Sequence, residues 1–340
     1  MAAGSAKGWL QPLLPVAIAC LSLGVLQLVL GRLPFFSYLA CLVGVNVILA
    51  VSLNVVNGMT GQFSIGHAGF MAVGAYLGGI VALRTAAMKI HGLPEVLSDQ
   101  LFLLLSLGVG GAAAALCGFV VGLPSLRLKG DYLAIVTLGF GEIIRVIVQN
   151  TESLGGSLGL SGVPQTATFG LVWFFVFIAV LMAKRLAASS HGRSLWAIRE
   201  DEVAAEAMGV DTTGYKVRAF VVSSFFAGVA GALFGHFVPV INPGSFTFVK
   251  SMEVVVMVVA GGLGSTTGSV VAAVALTLLP EALRTIFLQF GSGDQTLAQR
   301  VDQVRMPIYG LLLVIIMLTR PQGIFGTSEA WALFKRRRAQ

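Results

Sequence analysis

Glu142 and Arg145 stand three residues apart inside an apolar run, Glu281 and Arg284 repeat that spacing, and Glu253 follows Lys250 by three. On a helix that spacing shares one face, so each pair can form an ion pair. Charges among apolar residues are costly, so they pair, snorkel to an interface or line a wet path. The chemistry on offer is contact with a charged solute or a clamp between helices, and spacing alone leaves both open. A second set offers backbone rather than side chains. Asn57 to Gly69 and Gly261 to Gly268 are Gly-rich polar interruptions, each followed at once by a small-residue apolar segment. At membrane depth such interruptions survive only where protein or a water-filled cavity satisfies the freed backbone groups, so a pair of them points to inverted repeats around a pathway. The alternative is a pair of ordinary turns whose glycines ease helix packing. The path-lining candidates are Gly58, Gly61, Gln62, Ser64, His67, Glu142, Arg145, Glu253, Gly264 and Ser265.

Other chemistries are missing. Gly264 to Gly268 carries no lysine after it, so there is no nucleotide-binding Gly-rich loop ending in Gly-Lys-Ser/Thr, and the chain is not expected to hydrolyse ATP. His67, His91, His191 and His236 are too scattered for a metal site, no nucleophile elbow occurs, and an enzyme within one chain is not expected. Only His67 falls in the suspected pathway, where a packed, hydrogen-bonded turn residue is the favoured reading. Cys20, Cys41 and Cys117 all lie in apolar runs without ligand spacing. The Val16 to Cys20 stretch hints at lipoprotein processing, but the apolar run continues past it and reads as an uncleaved first span.

The elements that must position these groups are set by composition. The chain is 56% hydrophobic and 11% charged, with a mean hydropathy of +0.89, which marks an all-α polytopic membrane protein. Apolar runs lie near Pro12 to Leu30, Phe35 to Val56, Ala68 to Leu83, Leu101 to Gly122, Tyr132 to Val148, Phe169 to Met182 and Val217 to Val240. Three more lie near Met252 to Gly262, Ser269 to Leu288 and Met306 to Leu318. That predicts roughly ten spanning or half-spanning helices. Residues 1–326 read as one membrane domain and 327–340 as a basic tail.

The net charge of +7 follows topology rather than nucleic acid. With a cytoplasmic N-terminus, alternation puts Lys7, Arg127, Lys129, Lys184, Arg185, Arg193, Arg199, Lys216, Arg218, Arg320 and Lys335 to Arg338 on one side. The other side holds Arg32, Arg84, Lys89, Lys250, Arg300 and Arg305. Both termini and a loop at about 184–218 are therefore expected in the cytoplasm, with the terminal basic cluster near anionic lipid. Within that loop, Gly192 to Asp211 packs many charges into helix-forming sequence, with Asp201 placed to cap a turn and Gly209 to stop a helix. A short helix held in water between two spans suits the docking of a soluble partner.

Gly58 to Tyr76, Lys129 to Arg145, Gly192 to Asp211, Ser251 to Ser265 and Leu279 to Glu281 together resemble the LivM-type permeases of branched-chain amino acid ABC importers. The resemblance runs from about Phe35 to Gly326. It implies a permease subunit in the cell inner membrane, paired with a sister permease, two ATPase subunits that bind ATP-Mg, and a binding protein that delivers leucine, isoleucine or valine. No cofactor is implied for this chain. Glu202 to Gly209 would be the coupling helix, with Ala204, Ala205 and Ala207 allowing close approach and Glu202 and Glu206 pairing with basic residues of the ATPase. The polar stretch between Phe290 and Arg305 departs from the pattern. Relatives that import urea or short amides share similar motifs, so the resemblance fixes the machine better than the cargo. An ion-coupled secondary transporter is the rival from another class.

Overall fold

The computed structural model describes residues 34–86, 95–125 and 132–290, with scattered positions between 307 and 326. The expected spans near Pro12 to Leu30 and the polar stretch 291–305 lie outside the described residues, as do the basic tail and most of the last span. Helices dominate: α1 (Pro34–Asn54), α2 (His67–Thr85), α3 (Glu95–Ser125), α4 (Tyr132–Asn150), α5 (Phe169–Ala188), α6 (Ser190–Glu200) and α7 (Glu202–Ala207). They are followed by α8 (Thr212–Gly235), α9 (Phe248–Gly261) and α10 (Thr266–Phe290). Seven of these segments are long and apolar enough to cross a membrane. The run near Met252 to Gly262 becomes α9, which at 14 residues is too short to do so alone. One departure from all-α is a two-residue antiparallel bridge, β1 (Leu160–Ser161) with β2 (Val240–Ile241), where two connections meet.

Apolar sequence alone does not order these helices, because lipid is as apolar as their side chains. Small residues do. Helices α2, α3 and α8 pack on one another, and at Gly228 the backbone of α8 lies so close to α3 that a Cβ would strike Ala114 and sit 2.6 Å from the Gly110 carbonyl. Around this triad α1 runs through the protein interior, buried almost continuously from Val43 to Thr60, and packs on α5, α8, α9 and α10.

Helix α1 runs on into a single π-helical turn, Val55–Met59, before the irregular stretch up to Gly66. Helices α1 and α9 each lead into a Gly-rich interruption, and α2 and α10 each lead away from one. Both members of this pair run in the same direction, since Phe35 and Lys250 line one cavity while Gly58 and Gly264 meet at the far end. The two interruptions are therefore parallel rather than inverted with respect to each other. Five full spans intervene between α1 and α9, which returns the chain to its starting direction.

The expected loop at 184–218 is helical. Helix α5 carries Lys184 and Arg185, α8 carries Lys216 and Arg218, and the charged stretch between them folds as α6 and α7. The Ser189 hydroxyl accepts from the Gly192 amide to cap α6, and Asp201 accepts from the Val203 and Ala204 amides to cap α7. Gly209 (φ +84°) ends α7, with the Val210 amide bonded back to the Ala205 carbonyl.

Candidate functional site

The two glycine-rich interruptions touch. The Gly264 amide donates to Asn54 Oδ1 at 2.8 Å, and Gly58 lies so close that a Cβ on it would strike the Gly264 backbone and the Asn54 side chain. Residues of α6 close over the contact. Arg199 Nη1 donates to the Gly58 carbonyl at 2.6 Å and reaches the Leu263 carbonyl at 3.4 Å. Its guanidinium stands 5.2 Å from the Trp196 ring, a cation–π distance. Gly264, at φ +89°, leaves room for that ring, which a Cβ would overlap.

The Gly58 carbonyl belongs to the π-helical turn after α1 and the Leu263 carbonyl to the turn after α9, and a cation beside the C-terminal ends of the two helices complements their dipoles. One charged side chain thus joins the ends of α1 and α9 to the α6–α7 pair. Among the described residues, two buried polar atoms around the junction, Asn54 Nδ2 and Gln62 Oε1, have no hydrogen-bond partner.

The remaining candidates divide into separate places. Asn57 and Ser64 bond reciprocally, closing the turn that holds Gly61 (φ +71°) against Arg199. His67 opens α2, buried, with Nε2 2.9 Å from Ser52 Oγ. Ser265 caps the first turn of α10 by accepting from the Gly268 amide at 3.1 Å. Glu142 pairs with Arg145 at 2.7 Å, and its other oxygen accepts from the Phe248 amide at 3.2 Å, so it ties α4 to the first turn of α9. Glu281 and Arg284 are a looser pair at 3.8 Å.

Glu253 belongs to a different site. It pairs with Lys250 at 3.2 Å, and Lys250 Nζ also donates to Asn46 Oδ1 at 2.9 Å. Asn46 in turn donates to Thr277 Oγ1 at 2.9 Å. This network faces a cavity of about 390 Å³ at the end of α1 remote from Arg199. Phe35 and Gly58 are about 35 Å apart along α1 at 1.5 Å per residue.

Helix α7 presents Val203 and Met208, 68% and 84% exposed, with Ala204, Glu206 and Ala207 also outward. Ala205, expected on the docking face, is buried against the chain's own fold. Glu202 is taken by Lys216 at 2.6 Å, and Glu206 Oε1 accepts from Thr212 at 2.7 Å. Those two carboxylates brace α7 against α8 rather than standing free for a partner's cations.

Sequence reasoning passed over Arg199, Trp196, Asn46, Asn54 and Thr277. Asn46 and Asn54 did carry a signal, as lone amides eight apart in an apolar span. Arg199 carried none, being one more charge in a charged stretch.

Residues 35–318 match the family described as "Branched-chain amino acid transport system / permease component". The chain belongs to that family. It is 35% identical to the high-affinity branched-chain amino acid transport system permease protein LivM of Salmonella typhimurium, covering 84% of this chain and 69% of the relative. It is also 28% identical to a probable LivM of Methanocaldococcus jannaschii, over 62% of this chain and 66% of the relative. The permease protein LivH of Escherichia coli strain K12 is 24% identical, over 83% and 91%. No solved structure matches. Family and helices together establish a multi-pass membrane permease.

Proposed function

We propose that this chain is the membrane permease subunit of an ATP-driven importer passing leucine, isoleucine and valine from a binding protein across the inner membrane. The relatives' names supply the cargo, and similarity to both LivM and LivH supports pairing with a sister permease. Two ATPase subunits supply the hydrolysis, since the sequence holds no nucleotide-binding loop. The α6–α7 end faces the cytoplasm, a reading supported by the basic residues at 184–218.

The observation that carries the reading is the Arg199 bridge. A soluble subunit seated on Val203 and Met208 moves α7, α6 moves with it, and Arg199 delivers that displacement to both interruptions at once. Binding at the cytoplasmic face is then coupled to the path because the partner contacts α7 differently in its two nucleotide states.

The test is reconstitution of the chain with a sister permease, ATPase subunits and binding protein in vesicles. Leucine uptake should require ATP and all four components, and the purified chain should hydrolyse none. Ion-driven leucine uptake by vesicles holding this chain alone would overturn the proposal in favour of a secondary transporter.

A further inference from the structure

We propose that the cavity between the first halves of α1 and α9 is a binding subsite for a zwitterionic, apolar α-amino acid, with Lys250 and Glu253 recognising its two charges. The proposal rests on the importer reading above and names where this chain itself reads the cargo.

The cavity holds about 390 Å³, the size of a small-molecule site. Its polar wall is an ordered chain of groups. Thr277 Oγ1 donates to the Ala273 carbonyl at 2.6 Å, which leaves it to accept from Asn46. Asn46 is thereby turned so that its oxygen meets Lys250, and Lys250 meets Glu253. The side chains of Glu253 and Lys250 are only 4% and 15% exposed. Leu39, Leu42, Met71 and Phe234 supply apolar lining to the same cavity.

Energetics argue that this arrangement is not kept for stability. Taking two ions out of water is costly, and well-packed hydrophobic residues in place of a buried ion pair often do as well or better. A buried ion pair beside a cavity has a use that an apolar pair lacks. A zwitterion lies antiparallel on it, carboxylate against the Lys250 ammonium and ammonium against the Glu253 carboxylate. All four charges are then balanced in a low-dielectric setting where each contact is strengthened. A side chain of leucine size fits the apolar lining, whereas a cation or anion alone would leave one member of the pair facing an unbalanced charge. Urea can hydrogen-bond to both ions but brings neither a compensating charge nor an apolar side chain.

The experiment uses the complete importer in nanodiscs without binding protein. Cys20, Cys41 and Cys117 are replaced by alanine, and Leu42→Cys provides the reporter. Millimolar leucine should slow maleimide labelling at least fivefold. Isocaproate, which lacks the ammonium, and isoamylamine, which lacks the carboxylate, should not. In Lys250→Met/Glu253→Met, which keeps an apolar filling and so keeps folding, protection by leucine should disappear. Protection by isocaproate as strong as by leucine, or protection that survives the double replacement, would overturn the subsite.

Lipid is the other source of such chemistry. Slow labelling in phosphatidylethanolamine nanodiscs with no leucine effect, against fast labelling in phosphatidylglycerol, would assign the cavity to a headgroup and overturn the proposal. Leucine uptake by the importer with Leu42 intact and binding protein added separates the two claims. Uptake without protection removes only the subsite, and protection without uptake removes the importer reading while the subsite stands.

Discussion

Arg199 holds the Gly58 and Leu263 carbonyls, and the proposed function gives it a second role, carrying motion from α7 to the two interruptions. Its bonds reach residues more than sixty positions away in either direction, Gly58 and Leu263. Hydrogen bonds from a charged donor contribute about 1.5–3 kcal/mol each, yet the spans around it keep their own packing. Arg199→Ala should therefore leave membrane insertion and the far cavity intact and cut ATP-driven leucine uptake on the order of tenfold or more, while hydrolysis by the assembled importer continues. Arg199→Lys should restore uptake only in part, since an ammonium can reach the Gly58 carbonyl but lacks the planar guanidinium that stands 5.2 Å from the Trp196 ring. Uptake and hydrolysis falling together in Arg199→Ala, with lost assembly, would show a merely structural contact.

Helix α7 shows what an element of six residues can do when its neighbours hold it. Capped by Asp201, stopped at Gly209 and braced through Glu202 and Glu206, it exposes an apolar pair, Val203 and Met208, in water. Those two residues should carry the docking. Met208→Glu should lower co-purification of an ATPase subunit at least fivefold without changing the amount of chain in the membrane, whereas Glu206→Gln should change it little. Much of this element was legible: the cap, the stop and the helical run all rest on local rules. Which side faces out was not, because the burial of Ala205 depends on where α6 and α8 lie, and no local pattern in a six-residue helix encodes that. The spans follow the same division. Phe35 to Val56 and its successors stand out by hydropathy alone, while the meeting of Gly58 with Gly264 depends on pairings two hundred residues apart. The parallel sense of the two interruptions was within reach, since Phe35 to Val56 and Met252 to Gly262 are the second and eighth apolar runs and alternation gives them one direction. Lys250 and Glu253 were visible as a pair, but the cavity they face is made by α1 and α10.

Across the whole molecule the sites sit on two unlike supports. The cavity and the junction lie along α1, α9 and α10, where polar side chains and interruptions leave alternatives open. The triad of α2, α3 and α8 has none, because its backbones already touch at Gly228. Gly228→Leu should consequently lower the folded yield several-fold, read as detergent-extracted monodisperse importer, and a compensating Ala114→Gly should not rescue it, because the Gly110 carbonyl still stands 2.6 Å from the new Cβ. The same contact sets a schedule for assembly. With about 90 residues between Ser125 and Thr212 and synthesis at about 5–20 residues per second, α2 and α3 reside in the bilayer for roughly 5 to 20 s before α8 has been made. During that interval their glycine-lined groove faces lipid or the insertion machinery, and a helix from a neighbouring nascent subunit can fill it. The groove that α8 fills is thus a place where a foreign helix with small residues could dock before the chain's own does.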